Sequence, residues 1–96
     1  MLEIRQTRRF VDWVAGLGDQ QAQARINVRI RRLSLGNAGD VKNVGEGVNE
    51  LRIDYGPGYR LYFTRRGAAV VLLLCGGDKR SQNRDIARAI NLAREL

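Results

Sequence analysis

Histidine is absent from this 96-residue chain, and cysteine, proline, methionine and tryptophan occur once each. Without histidine there is no Ser-His-Asp or Cys-His set, and no side chain whose ordinary pKa lies near seven. The lone thiol, Cys75, leaves no disulfide framework and no cysteine-rich metal site. It closes an apolar run, which marks it as a buried structural thiol rather than a nucleophile. That run, Ala68 to Cys75, is the longest in the chain and too short to span a bilayer. The first residues carry Glu3, Arg5, Arg8 and Arg9 where a signal peptide would be apolar, so the expected location is the cytoplasm, with no membrane partner. Lysine is nearly missing as well: only Lys42 and Lys79 stand beside fifteen arginines.

What is present is charge of one sign. Seventeen Lys+Arg against ten Asp+Glu give a formal charge of +7. Arginine offers a planar fork of donors that suits phosphate, which raises nucleic acid or an acidic protein as partners. A genome rich in G and C also favours arginine and the eleven glycines, but that does not account for the net charge. Residues 1–96 make a single domain. A chain this short has little room for a deep pocket, so a protein acting at its surface is expected rather than a small-molecule enzyme.

Leu2 to Arg5 alternates like a short strand. Thr7 caps a helix with Phe10, Val14 and Leu17 at helical spacing, ended by Gly16 to Gly18. Asp19 caps a second with Ala22, Ile26, Ile30 and Leu33 as one stripe, stopped by Gly36 to Gly39. From Val41 the period becomes two. Val48 to Tyr55 and Tyr59 to Thr64 form a hairpin about Gly56-Pro57-Gly58. After Arg65-Arg66-Gly67, Ala69 to Cys75 reads as a central strand, broken by Gly76-Gly77. Ser81 caps a last helix carrying Ile86, Ala89, Ile90 and Ala93. The order β-α-α-β-β-β-α predicts an α+β domain, an antiparallel sheet with helices packed on one face.

With Tyr55 opposite Tyr59, Ile53 faces Leu61 toward the core. Asp54 then stands beside Arg60, Arg52 beside Tyr62 and Glu50 beside Thr64 on the other face. That face is either a phosphate-handling surface, with Lys79 and Arg80 in reach, or the ordinary solvated side of a sheet. Arg25, Arg29 and Arg32 recur at i, i+4 and i+7 on the second helix, a stripe that suits either a phosphate backbone or plain solvation. Gly76-Gly77-Asp78-Lys79 lacks the spacing of a nucleotide-binding loop. Trp13 reads as core or helix packing rather than a base-stacking platform, and no metal-ligand spacing is present.

The runs Glu50-Leu51-Arg52-Ile53 and Gly58-Tyr59-Arg60-Leu61-Tyr62-Phe63, joined to Gly76-Gly77-Asp78-Lys79, Gln82, Asp85-Ile86 and Ala89, resemble the RelE/ParE superfamily of bacterial type II toxin–antitoxin toxins. More narrowly they resemble its HigB-like branch of phage-derived addiction module killer proteins. The resemblance covers the whole chain. It implies a RelE-like fold and an mRNA interferase, an endoribonuclease that cuts message in the ribosomal A site without metal or cofactor. It also implies a hetero-oligomer with a cognate antitoxin, usually a helix-turn-helix protein encoded next door. By position, Arg60 matches the arginine that contacts the scissile phosphate. Lys79 falls where the family has a basic residue after the last strand, and Arg52 lies near basic residues on the preceding one. Arg25, Arg29, Arg32, Arg80 and Arg84 are candidates for binding RNA, ribosome or antitoxin.

The chain departs from several active relatives in lacking a C-terminal tyrosine or histidine as acid or base. Tyr62, Asp54, Glu50, Asp78 and Asp85 are the remaining candidates, with Tyr62 grouped with Arg60, Arg52 and Lys79 as catalytic. The same superfamily includes ParE-like toxins that inhibit DNA gyrase by binding and cut nothing, so that alternative stays open.

Overall fold

Thr7 fixes the first change of direction. Its hydroxyl accepts from the Phe10 N–H at 3.1 Å and donates to the Leu74 carbonyl at 2.6 Å, so it caps a helix and ties that helix to the sheet. In the computed structural model, which describes residues 1–96, strand β1 (Glu3–Gln6) precedes it and helix α1 (Arg8–Ala15) follows. Asp19 caps helix α2 (Gln20–Ser34) by accepting from the Ala22 N–H at 3.1 Å. Beyond α2, Gly36 takes φ +86°, a left-handed turn that suits glycine and ends the helix as the sequence suggests.

Strands β2 (Val41–Gly45), β3 (Val48–Ile53), β4 (Tyr59–Arg66) and β5 (Val70–Gly77) come next. A single 3₁₀ turn at Lys79–Ser81 then leads into helix α3 (Gln82–Glu95). The protein is α+β, with five strands in the order β1-β5-β4-β3-β2.

Several details correct the sequence expectation. The element order gains a strand, β2, whose mixed composition suits a bulged edge rather than a clean alternation. The sheet is mixed, because β1 runs parallel to β5, with Glu3 opposite Val70 and Gln6 opposite Leu73. Helices cover both faces. On one, Phe10, Ile26 and Leu33 of α1 and α2 pack on Leu51, Ile53, Leu61, Phe63, Val71 and Leu73. On the other, Ala89 of α3 packs among Val48, Tyr62, Leu74 and Cys75. A bulge pairs Tyr62 with Cys75 and Phe63 with Leu73. The extra residue, Leu74, thereby joins Cys75 beneath α3.

The hairpin register also differs. Ile53 pairs with Tyr59, Arg52 with Arg60, Leu51 with Leu61, and Glu50 with Tyr62. The loop is longer than a tight turn because Tyr55 leaves the strand and donates its hydroxyl to Asp19 at 2.9 Å. A shift of two residues keeps every side chain on its expected face but changes its neighbours.

Gly76 and Gly77 continue β5 rather than break it. The Trp13 ring occupies the space a Gly76 side chain would need, and the Asp85 carboxylate and Ser81 hydroxyl occupy that of Gly77. Ser81 makes no capping bond to α3. Asp78 instead caps the 3₁₀ turn through the Arg80 N–H at 2.9 Å.

Candidate nucleic-acid interface

Two arginines directly opposite on neighbouring strands repel each other, and Arg52 and Arg60 are such a pair. Glu50, two residues along β3 and fully buried, resolves the conflict. Its Oε1 accepts from Arg52 Nε at 3.0 Å. Its Oε2 accepts from the Tyr62 hydroxyl at 3.1 Å and from Gln82 Nε2 at 2.9 Å, and lies 3.8 Å from Arg60 Nε. Burial alone would raise the Glu50 pKa. The hydrogen bonds from Gln82, Arg52 and Tyr62 prevail, holding it below the ordinary carboxylate value. Glu50 is therefore an ionised anchor with two guanidinium groups about it, one positive charge in excess.

Arg60 is held firmly. Its side chain is 10% exposed, against 42% for Arg52. Its Nη1 donates to the Gly58 carbonyl at 2.7 Å, while its buried Nε has no hydrogen-bond acceptor. Gly58 sits at φ +78°, and a Cβ there would stand 3.2 Å from Arg60 Nη1 and 3.7 Å from Lys79 Cβ. The Lys79 N–H in turn donates to the Pro57 carbonyl at 3.4 Å. The Gly56-Pro57-Gly58 turn is thus wedged between Arg60 and Lys79. A cleft of about 270 Å³ opens beside it, with Arg52, Arg60, Asp40 and Asp54 in its wall.

The structure thus brings Arg52, Arg60 and Lys79 to one end of the sheet. Tyr62 adjoins them but is fully buried, with its hydroxyl committed to Glu50. Burial and the Glu50 charge push its pKa up, so it stays a neutral phenol. Among the other acid–base candidates, Asp78 pairs with Arg80 at 3.1 Å, and that contact holds it below its ordinary value. Asp85 is buried and accepts from Ser81, whereas Asp54 is exposed in the cleft wall.

The α2 stripe is not a free cationic surface. Arg29 donates to the Arg52 carbonyl at 2.7 Å and to the Ala38 carbonyl at 3.1 Å, and Arg25 stacks over Tyr55 at 4.6 Å. Only Arg32 of the three lacks such a partner. Arg80 and Arg84 are exposed at the start of α3, joined by Arg88 one turn on and by Arg9 of α1. Sequence reading passed over Arg9 and Arg88. The i, i+4 spacing of Arg84 and Arg88 was the available signal for one of them. Cys75 is buried, and its thiol is pushed up to about 12, first by burial and then by the Asp85 charge. No group of three or more Cys, Asp or Glu is placed to hold a metal ion, and no helix is long and apolar enough to cross a membrane.

Fold and site define a small basic α+β protein whose buried carboxylate presents two arginines at a surface cleft. Residues 12–96 match the family described as Phage derived protein Gp49-like (DUF891), and the chain belongs to it. That family is associated with toxin–antitoxin addiction modules, which implies an antitoxin partner. An uncharacterized protein of Haemophilus influenzae strain Rd is 48% identical over 95 residues, spanning 99% of this chain and 96% of the relative.

Proposed function

We propose that this protein is the toxin of a type II toxin–antitoxin module, of RelE/ParE type and HigB-like. In this reading it acts in the cytoplasm as a ribosome-dependent mRNA endoribonuclease that blocks translation and arrests growth. The observation that carries the reading is the Arg52–Arg60 pair on one ionised carboxylate, an arrangement that fixes two guanidinium groups side by side at a cleft.

RNA supplies its own nucleophile. The 2′-OH attacks the adjacent phosphorus, the P–O5′ bond breaks, and a 2′,3′-cyclic phosphate and a free 5′-hydroxyl result. The reaction needs donors for the charge that develops on the phosphorane oxygens. Arg52 provides an exposed guanidinium and Arg60 a rigid one, with the Lys79 ammonium at the edge. Glu50 holds the two arginines, Tyr62 braces Glu50, and neither takes a proton. Glu50 and Asp78 are held below the ordinary carboxylate value by their hydrogen bonds and Tyr62 is held neutral, so in this reading the proton transfers fall to solvent and to the ribosomal A site around the message.

Expression without antitoxin should arrest growth, and ribosome-bound message mapped by primer extension should show new A-site ends. Arg60→Ala should lower cleavage on the order of 10²–10³-fold. The lack of any histidine, and of any tyrosine after Tyr62, favours one other reading, a ParE-like toxin that binds gyrase. Intact message with falling supercoiling activity would establish that reading instead.

A further inference from the structure

The basic surface does not stop at the clamp. Lys79, Arg80 and Arg84 wall a cleft of about 350 Å³ at the start of α3. Arg84 also walls the next, of about 400 Å³, opposite Arg9 and beside Arg88. Arg9 and Arg88 then wall a third, of about 540 Å³, which ends on Arg8 and the Trp13 ring. Each cleft shares one or two arginines with its neighbour, so the three form one furrow that leaves the clamp at Lys79 and runs between α1 and α3.

The charge in this furrow is available. Lys79, Arg84 and Arg9 take part in none of the protein's ion pairs. Arg88 lies 4.0 Å from the buried Asp85, a loose contact, and Arg8 and Arg80 meet Asp12 and Asp78 in exposed pairs that a phosphate can displace. Glu95 is the other carboxylate in the walls, at the far end of α3. Arg84 and Arg88 are one helical turn apart on the same side of α3, a spacing that presents two guanidinium forks in line.

We propose that this furrow holds the sugar–phosphate backbone of single-stranded RNA flanking the phosphate at Arg52 and Arg60, an inference that rests on the nuclease reading above. Trp13 decides between RNA and an acidic protein segment. It is half-buried, seated on Gly76 and set edge-on to Tyr59 at 6.2 Å, so it stands as a fixed aromatic wall at the end of the furrow. A base stacks on such a wall, whereas a run of carboxylates has no use for it.

The test uses 2′-O-methyl RNA, which cannot supply the attacking hydroxyl, as an oligomer of about 12 nucleotides and as a trinucleotide. Binding to the full chain is measured across a salt series. For the long oligomer, R9S/R84S/R88S should weaken binding at least about tenfold. It should also flatten the slope of log K against log salt by about two, since each lost contact on a single strand removes roughly 0.7. The trinucleotide should bind the variant and the unsubstituted protein equally. Fluorescence of Trp13, the chain's sole tryptophan, should be quenched by the long oligomer and not by the short one. Arg9→Ser and Arg84→Ser alone, each flattening the slope by about 0.7, serve if the triple variant does not fold. An unchanged slope with Arg60-dependent binding intact overturns the furrow and leaves the clamp standing. A polyglutamate peptide that displaces the long oligomer at equal concentration overturns RNA as the occupant. Failure of the unsubstituted chain to bind the long oligomer overturns the furrow, while the nuclease reading stands or falls separately on the primer-extension map of ribosome-bound message.

Discussion

Under α1 and α2, nine buried side chains from Phe10 to Leu73 pack against one another, all of them apolar. Under α3, Val48, Leu74, Cys75 and Ala89 share the space with Glu50, Tyr62, Arg60 and Asp85. The first half is held by volume and tolerates imprecision, since burial is non-directional. The second depends on each donor meeting its acceptor and on Glu50 remaining charged, because an unpaired group in such a network is costly. The candidate phosphate site stands on the second half. A guanidinium fixed in a polar core is already oriented when an anion arrives, an advantage the apolar half cannot supply.

The comparison can be broken at either end. Phe10→Ala should cost about 3–5 kcal/mol in chemical unfolding while activity per folded molecule persists. Glu50→Ala should cost a similar 3–5 kcal/mol, by leaving Arg60 buried without its countercharge, and should also abolish binding of the trinucleotide in the molecules that remain folded. Binding that survives in Glu50→Ala would show that the carboxylate does not organise the clamp.

Gly77→Ala tests the polar half more finely. The added methyl overlaps the Asp85 carboxylate, and a loss of about 1–3 kcal/mol is expected by the same measurement. Tyr62→Phe should cost less, about 1 kcal/mol, because Glu50 keeps its bonds from Arg52 and Gln82. Cleavage should stay within a few-fold of the unsubstituted protein. A hundredfold loss with stability intact would make Tyr62 a reacting group after all.

The smallest effects are those of pH. The Glu50 pKa lies below its ordinary 4.5, so its contribution is full above that value and fades as pH falls through the lowered one. The Tyr62 and Cys75 pKa values are raised from 10.0 and 9.0, so their contributions are full below those values and are lost as pH rises beyond them. Urea midpoints should therefore fall at both extremes, and the alkaline fall should be shallower in Y62F/C75A. An identical alkaline limb would remove burial of these two groups as its cause.

The apolar half was plain in the sequence. Phe10, Ile26, Leu33, Leu51, Ile53, Leu61 and Phe63 keep helical or alternating spacing, and Thr7 and Asp19 announce their helices. The polar half was legible only as to face. Alternation put Glu50, Arg52, Arg60 and Tyr62 together, but the pattern for a solvated face and for one buried under a polar network is the same until a helix is laid over it. The hairpin register escaped because Tyr55 looked like a strand residue, while its hydroxyl reaches Asp19 on another element. Arg29 looked free for the same reason: its acceptors are backbone carbonyls far along the chain, which no side-chain pattern reveals. Arg9 and Arg88 meet only because α1 and α3 lie on opposite faces of one sheet and both border the C-terminal stretch of β5.

The parallel seating of β1 beside β5 has a consequence in time. Thr7 finds its acceptor at Leu74, 67 residues later. At about 5–20 residues per second, a chain leaving the ribosome waits roughly 3–13 s between making the first strand and making its neighbour. Gln82, which braces Glu50, comes later still. A half-made chain thus carries Arg52 and Arg60 without the structure that aims them. On the toxin reading proposed above, the site is complete only as synthesis finishes, which leaves those seconds for an antitoxin to be made.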